Sequence, residues 1–409
     1  MATLQDICLQ ITDGKHGDCE NERGSGYYFI SCKDVKDGWV DYSVARQITE
    51  EDYLDTHRRT RLEPDDILIT NSGTIGRMAL VPRAPETGRT TFQKSVAILK
   101  PRQENVIPRW LYYCLMARKV ELIAWAGGTA QKNLLLRDLR AFEVATPSHP
   151  TQRKIAAILS AYDDLIENNL RRIKILEEMA QNLYREWFVK FRFPGHQHAH
   201  FTDSPLGRIP EGWEVVSLGK ITELRKDKFK EKLHSECPLL DLAKMQQRTL
   251  SVGETGSPDE LTTSRIIFEE DDILFGSIRP YLHKVALAPY RGVTNVSVLV
   301  IRPAEKSLQS FLAVLLSSID TIRWADQHST GTKMPVIKWE ALQTMPVLMP
   351  TQAVLRAFET SVQPMLQTVK MTSSRNQTLR RTRDLLLPRL ISGEVDVSEL
   401  DINIGEEPA

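Results

Sequence analysis

The chain has 409 residues, with 53 basic and 53 acidic side chains, and so a formal net charge of zero. This length accommodates two domains of ordinary size, and neutrality requires any DNA-binding surface to gather its basic residues on one face. No apolar run approaches the ~18 residues of a membrane span, and "MATLQDICLQITDG" is too polar for a signal peptide. The five cysteines include no C-x-x-C pair, which argues against disulfides or zinc and predicts a cytoplasmic location.

The block "EPDDILITNSGTIGRMALVP" (63–82) returns about two hundred residues later as "EEDDILFGSIRPYLHKVALAP" (269–289). Each copy continues with a β-branched run ending in a basic residue and Pro, then a helix-like segment and a glycine block, "GGTAQKNLLLRDL" or "TGTKMPVIKWEAL". Coincidence between generic strand and turn signals is the alternative to a repeat. Five matching blocks in the same order predict a tandem duplication of a mixed α/β domain.

After "PTQ" in each copy, at 150–152 and 350–352, apolar residues recur at spacings of four and three. This heptad pattern is typical of a coiled coil, and one Asn in each series would fix its register at some cost in stability. Two unrelated amphipathic helices are the alternative; the matched series favour an antiparallel pair, with the globular domains at opposite ends. The predicted contact positions are Ile155, Leu159, Ile166, Asn169, Ile173, Leu176 and Leu183 in the first helix, and Leu355, Phe358, Val362, Met365, Val369 and Asn376 in the second.

These patterns predict an α+β fold of two similar globular domains joined by two long helices, with internal pseudo-two-fold symmetry. His196, His198 and His200 alternate in a Pro- and Gly-containing segment, but no fourth ligand or cysteine accompanies them, which favours a solvated linker over a metal site. The predicted boundaries are 1–150 and 209–350 for the domains, 151–193 and 351–393 for the helices, 194–208 for the linker and 394–409 for a tail.

No catalytic constellation is found in either copy. The sequence lacks a G-x-x-x-x-G-K-[ST] loop, a G-x-G-x-x-G opening a helix, and the Asn/Asp-Pro-Pro-aromatic stretch of amino-methylating enzymes. A metal nuclease would need a carboxylate two residues before Lys94, where Phe92 stands. No catalytic residue and no metal site are therefore predicted.

The two copies differ most in the polar residues that follow "DDIL" and in the glycine block. Arg can read guanine, Asn and Gln can read adenine, and Ser, Thr and Lys can contact base edges or phosphates. The candidate DNA contacts are Lys15, His16, Lys33, Asn71, Ser72, Thr74, Arg77, Gln131 and Lys132 in the first copy, and Ser277, Arg279, Tyr281, His283, Lys284, Thr332 and Lys333 in the second.

Over essentially its whole length the chain resembles the specificity subunits of type I restriction-modification systems. The likeness is carried by "DGKHGDCENERGSGYYFISCKDVKDG", both "DDIL" blocks, "GGTAQKNL", the first long helix, "IPEGWEVVSLGKI" and "LLLPRLISGEVDV". The first domain departs from this pattern because it begins without the "IPEGW" opening seen at Ile209.

The resemblance implies two target-recognition domains, each reading one half of a bipartite DNA sequence. It also implies an antiparallel coiled coil that sets the gap between the half-sites and docks two DNA methyltransferase (modification) subunits. S-adenosylmethionine, ATP and Mg2+ would belong to these and to the restriction/translocase subunits, and this chain would bind no cofactor and have no active site. A stand-alone DNA-binding regulator and an enzyme of unrecognised chemistry are the alternatives. The bases recognised cannot be derived from the sequence, because no transferable code links such loops to a target.

Overall fold

A computed structural model describes residues 1–127, 133–230, 236–261 and 264–402. The chain forms two compact units: unit 1 contains Met1–Asp163 together with the chain from Arg381 onward, and unit 2 contains Asp164–Arg380. Strands and helices both contribute to each unit, so the α+β prediction is confirmed. Among the described residues, no helix combines the length and the apolar character needed to cross a membrane.

The core of unit 1 is a four-stranded antiparallel sheet with the order β2-β8-β5-β6. Its inner strand "ILIT", Ile67–Thr70, is buried at every position. A smaller sheet has the order β4-β3-β7, and β1 pairs with β9. The strands of unit 1 are β1 Ala2–Thr3, β2 Cys8–Asp13, β3 Tyr28–Ile30, β4 Arg46–Gln47, β5 Ile67–Thr70, β6 Met78–Leu80, β7 Thr90–Phe92, β8 Val96–Pro101 and β9 Glu143–Val144.

Unit 2 contains a four-stranded antiparallel sheet of the same topology, with the order β13-β18-β15-β16. The registers also correspond: Ile67 lies opposite Leu80 in unit 1, and Ile273 lies opposite Leu287 in unit 2. The predicted duplication is therefore confirmed at the level of strand order. The strands of unit 2 are β10 Phe201–Ser204, β11 Gly207–Pro210, β12 Glu214–Ser217, β13 Thr222–Arg225, β14 Arg265–Phe268, β15 Ile273–Gly276, β16 Val285–Leu287, β17 Gly292–Asn295, β18 Val298–Pro303 and β19 Pro346–Met349.

The repeated acidic pair forms a turn before the central strand in both units. Asp65 and Asp271 have the same left-handed φ of 70°. The next residue in each copy, Asp66 or Asp272, accepts a hydrogen bond at 2.7 Å from the backbone N–H three residues earlier. The pair thus serves the local backbone, as the absence of converging carboxylates in the sequence indicated.

Short helices complete each unit, and each of the two long helices has residues in both units. Helix-like segments predicted after the strands are present as α3 and α8. The helices are α1 Leu4–Ile7, α2 Glu50–Thr60, α3 Pro108–Ala117, α4 Lys119–Ala124, α5 Leu136–Ala141, α6 His149–Tyr184, α7 Leu218–Ile221, α8 Gln309–Leu316, α9 Ile319–Gln327, α10 Trp339–Leu342 and α11 Gln352–Ser392. A π-helical turn, Arg185–Val189, follows α6.

The long helices α6 and α11 pair antiparallel within each unit. In unit 1, Asp163 of α6 binds Arg383 of α11, and Lys154, nearer the start of α6, bonds to Ser398 just beyond α11. In unit 2, Asn169 bonds to Asn376, whereas the ring of Trp187, further along the chain, lies 5.7 Å from that of Phe358, earlier in α11.

Most of the predicted helix contact positions are buried. Leu176, Leu183 and Met365 are half-buried, and Leu366, next to Met365, is almost fully enclosed. Lys370 and Ser373 are also buried, which the heptad pattern did not predict, because α11 packs against strands and loops of unit 2 as well as against α6. The fully buried predicted positions are Ile155, Leu159, Ile166, Asn169, Ile173, Leu355, Phe358, Val362, Val369 and Asn376.

The segment predicted as a linker, 194–208, contains regular structure. His196 lies in a 3-10 turn with its Nδ1 2.9 Å from the Phe193 carbonyl, and β10 and β11 form a hairpin that begins within the segment. The hairpin turn at Gly207 needs a φ of 92°, which glycine adopts readily. The remaining predicted boundaries stay predictions.

Candidate nucleic-acid interface

Two equivalent loops follow the central strands, and they contain most of the candidate DNA contacts. Loop 1 is defined as residues 71–77, between β5 and β6, and loop 2 as residues 277–284, between β15 and β16. The N–H of Asn71 donates to Ser95 O at 3.0 Å, and that of Ser277 donates to Ser297 O at 2.9 Å. Both loops therefore leave their strands through the same backbone contact.

A second pair of hydrogen bonds completes this common frame. The N–H of Leu134 donates to Asn71 O at 2.8 Å, and the N–H of Ile337 donates to Ser277 O at 2.9 Å. Both the N–H and the C=O of the first residue of each loop are therefore hydrogen-bonded. The frame is shared, so a difference in what the two loops can bind comes from Asn71, Ser277 and the residues that follow them.

In loop 1, Asn71 is only 7% exposed, and its Oδ1 is buried without a hydrogen-bond partner among the described residues. Thr74 is exposed, whereas Ser72 and Arg77 are half-buried. Gly73 has a φ of 75°, and a Cβ there would lie 2.9 Å from Cys32 Sγ, so this tight turn requires glycine. Asn71 and Ser72 line a recess of about 250 Å³, together with Asp13, Lys94, Asn133, Leu134, Leu135 and Leu136.

In loop 2, Ser277 is buried, and its hydroxyl donates to Ser297 O at 2.9 Å. Arg279 and Tyr281 are exposed, and Arg279 has a left-handed φ of 50°. These two side chains are the exposed candidate DNA contacts of loop 2.

His283 and Lys284 make hydrogen bonds inside unit 2. The Nε2 atom of His283 lies 2.9 Å from Ser317 O, and Lys284 Nζ donates to Leu242 O at 2.6 Å. Burial lowers the pKa of both side chains. A DNA contact from either one would have to replace its internal hydrogen bond, which their sequence positions did not indicate.

The remaining candidates lie on other loops. Lys15 Nζ lies 2.6 Å from Asp52 Oδ1, and this hydrogen bond raises the pKa of Lys15. His16 is exposed, with its Nε2 3.0 Å from Asp13 Oδ2. Lys33, Thr332 and Lys333 are exposed, whereas Gln131 and Lys132 lie outside the described residues.

Lys94 is a candidate that sequence reasoning considered only for nuclease chemistry. It is exposed and lines the recess next to Asn71 and Ser72. Its position could have been found by aligning the repeated strands, because the pairings Thr70↔Val96 and Gly276↔Val298 place Lys94 where unit 2 has Val296. The two copies thus have the same strand register at this position but different side chains, a cation in unit 1 and an exposed apolar residue in unit 2.

Comparison with known proteins identifies relatives that are specificity subunits of type I restriction enzymes. Residues 2–178 match the family described as Type I restriction modification DNA specificity domain. The chain is 26% identical over 350 residues to the specificity subunit of the type I restriction enzyme MjaIX of Methanocaldococcus jannaschii, covering 82% of this chain and 78% of that subunit. It is 22% identical over an alignment of 418 residues to the MjaVIII specificity subunit of the same organism, covering 97% and 93%.

A solved structure has the same fold. The crystal structure of a type I restriction-modification S subunit from M. genitalium aligns with a TM-score of 0.58 at 16% identity, over 95% of this chain and 94% of that chain. The repeated sheets and the equivalent loops thus belong to a chain that is similar, over most of its length, to DNA specificity subunits of type I restriction-modification systems.

Proposed function

We propose that this chain reads a bipartite DNA target, with unit 1 recognising one half-site and unit 2 the other. The observation that carries this proposal is the pair of loops on a common frame. Equivalent hydrogen bonds hold Asn71 and Ser277, yet the side chains that follow them differ in charge, size and polarity. Two similar scaffolds with different reading side chains are suited to two half-sites of different sequence.

The long helices are proposed to dock two DNA methyltransferase subunits, and the assembly is proposed to recruit restriction/translocase subunits. Support comes from apolar side chains that α6 and α11 leave exposed in unit 2 although the helices pair with each other: Ile175, Met179 and Met371 are 56%, 47% and 72% exposed. Exposed apolar residues on an already paired helix are typical of an interface with another protein.

The chain itself is proposed to act by positioning, without catalysis. Phosphate contacts would set the orientation on DNA, base contacts would select the sequence, and a partner methyltransferase would flip and modify the target base. S-adenosylmethionine, ATP and Mg2+ would then be bound by the partner subunits. No P-loop or dinucleotide-binding motif occurs in the sequence, in keeping with this division of labour.

Methylome sequencing tests the proposal. Cells that express this chain with the methyltransferase subunit of its system are compared with cells that express the methyltransferase alone. We expect methylated adenine at a split motif with a fixed gap only in the first culture. Unchanged methylation, together with specific DNA binding by the purified chain alone, would favour a stand-alone bipartite DNA-binding regulator instead.

A further inference from the structure

We propose that Asn71 is a base-reading residue of unit 1 and that it recognises an adenine in the half-site read by that unit. This inference rests on the proposed function and assigns a role to one side chain within it. The equivalent residue of unit 2, Ser277, reads no base. The two units thus use the same backbone frame in different ways.

The first observation is an amide oxygen without a hydrogen-bond partner, on a residue that lines a recess. Asn71 is nine-tenths buried, and its Oδ1 has no hydrogen-bond partner among the described residues. A buried acceptor without a partner disfavours the folded state, and this cost is removed when a donor reaches it. Because Asn71 lines the recess of about 250 Å³, a partner entering the recess could satisfy its amide.

The second observation is the contrast with unit 2. Ser277 is held by the same two backbone hydrogen bonds as Asn71, but its hydroxyl donates to Ser297 O within the unit. The donor of this hydroxyl is therefore already used within the unit, and Ser277 is only 3% exposed. The unpaired Oδ1 in unit 1 is therefore a consequence of having Asn at this position. The backbone frame, which both units share, does not cause it.

The polar character of the recess is also specific to unit 1. Bridges between Ser72 and Asn133 and between Ile278 and Val336 occupy equivalent places in the two units. The strand registers likewise place Lys94 where unit 2 has Val296. Three polar residues around Asn71 are thus replaced by three aliphatic ones around Ser277. This difference is expected if the recess binds a polar ligand in unit 1 only.

The chemistry of the amide selects the base. In the major groove, adenine presents the N7 acceptor beside the N6 amino donor, which matches the amide N–H and C=O of Asn in a bidentate pair. Guanine offers two acceptors, cytosine an amino donor, and thymine an acceptor beside a methyl group. Lys94 at the recess is able to contact a neighbouring phosphate and so to bring the base edge toward Asn71.

The test is methylome sequencing of the assembled complex, with this chain as wild type, Asn71→Ser, Asn71→Asp or Ser277→Ala. Asn71→Ser introduces the residue that unit 2 already carries at the equivalent position, so this variant is expected to fold. We expect Asn71→Ser to lower discrimination for adenine at one position of one half-site by about tenfold, ~1.4 kcal/mol, and to leave the gap and the other half-site unchanged.

Asn71→Asp keeps the acceptor but removes the donor, so its carboxylate would accept from an amino group and repel N7. We expect a shift at the same position from adenine toward cytosine. Ser277→Ala should leave the recognised bases unchanged. If a variant gives no methylation, thermal melting shows whether the purified complex is folded. Competition binding to duplexes substituted at each position then replaces the methylome readout.

The outcomes separate this proposal from the proposed function. A split motif with the wild-type chain upholds the bipartite function whatever the variants do. An unchanged motif with both Asn71 variants would overturn the role of Asn71, and so would a change confined to the other half-site. An equal loss of specificity in Ser277→Ala would overturn the asymmetry between the units.

Discussion

Asn169 of α6 and Asn376 of α11 meet in the interior of unit 2, where the Nδ2 of Asn169 donates to Oδ1 of Asn376 at 2.8 Å. The two residues are 7% and 1% exposed, and Asn376 Nδ2 also lies 3.4 Å from Ile166 O. One hydrogen bond thus joins two buried amides across the contact of the two helices. A one-turn slip of either helix would leave both unpaired, so the pair favours one register.

Replacing one member of this pair should destabilise the protein more than replacing both. Asn169→Leu leaves the Asn376 amide buried with one partner fewer, which we expect to lower the free energy of unfolding by about 1–3 kcal/mol. Asn169→Leu combined with Asn376→Leu removes the unsatisfied group and should recover most of that loss. Urea denaturation of the two single variants and the double variant measures the coupling.

Asn168→Leu is the matched control, because Asn168 is the exposed neighbour of Asn169 on the same helix. It should change the free energy of unfolding by less than about 0.5 kcal/mol. Additive losses in the double variant would contradict a mutual hydrogen bond. If the pair specifies register and the proposed bipartite reading holds, the methylated motif of the double variant should also show a less uniform gap between its half-sites.

Glu177 should make stability depend on pH. This carboxyl on α6 accepts hydrogen bonds at 2.7 Å from the Thr249 hydroxyl and the Leu250 N–H, but burial raises its pKa from 4.5 to about 7. The folded state therefore binds the proton more tightly than the unfolded state, and stability falls as the pH rises from about 4.5 through 7. Glu177→Gln removes this dependence.

Between pH 5 and pH 8, wild type should lose at most about 3 kcal/mol relative to Glu177→Gln. Thermal unfolding at several pH values checks the difference. Glu167→Gln is the control, because Glu167 is exposed on the same helix, and its profile should follow that of wild type. A Glu177→Gln profile parallel to wild type would show that the buried carboxyl does not titrate in this range.

The sequence alone predicted those features that depend on local pattern. The repeated "DDIL" blocks predicted the two central strands, and the heptads predicted the paired helices with Asn169 and Asn376 at their contact. It could not predict the burial of Lys370 and Ser373, because their partners, Glu270 and Val252, lie about a hundred residues away in the chain.

The site was predicted as a set of loops, but the state of each side chain was not. Asn71 and Arg279 both follow "DDIL", yet Asn71 is buried and Arg279 is exposed. His283 was selected for its chemistry, whereas the structure pairs it with Ser317, a residue of another segment. Tertiary hydrogen bonds of this kind leave no signal in residue spacing, and they determine which candidate side chains remain available to DNA.

Gly73 should be sensitive to substitution because of its backbone conformation. Gly73→Ala places a Cβ on a residue with a φ of 75° and 2.9 Å from Cys32 Sγ. We expect a loss of about 2 kcal/mol in the free energy of unfolding, since L-residues are disfavoured in this region and the sulfur must move.

Gly88→Ala is the control for this effect. Gly88 has an ordinary φ, and a Cβ there meets no atom within 4 Å. Its substitution should be neutral or stabilising by a few tenths of a kcal/mol, because alanine restricts the unfolded chain. Denaturant titration compares the two variants, and equal effects would show that the turn at Gly73 relaxes without strain.

Two buried lysines differ in whether their carboxylate partners are also buried. Comparing them shows how burial of the partner changes the loss of stability when the lysine is removed. In unit 1, Lys100 Nζ lies 2.7 Å from Asp66 Oδ2, and the two side chains are 10% and 6% exposed. In unit 2, Lys370 Nζ lies 2.8 Å from Glu270 Oε1 and also contacts Asp271, but those carboxylates are 61% and 43% exposed. Removing Lys100 leaves the buried carboxyl of Asp66 without its counter-ion. Removing Lys370 leaves carboxylates that water can solvate.

Lys100→Met should therefore destabilise the protein by about 3–5 kcal/mol at pH 8, and Lys370→Met by only about 1 kcal/mol. Burial already raises the pKa of Asp66 to about 6, and loss of the adjacent ammonium would raise it further. The folded Lys100→Met variant would then bind a proton that the unfolded chain releases, so its stability should recover as the pH falls from 8 toward 5. Urea denaturation at both pH values tests this, and equal losses for the two variants at pH 8 would mean that burial of the partner carboxylate does not determine the effect.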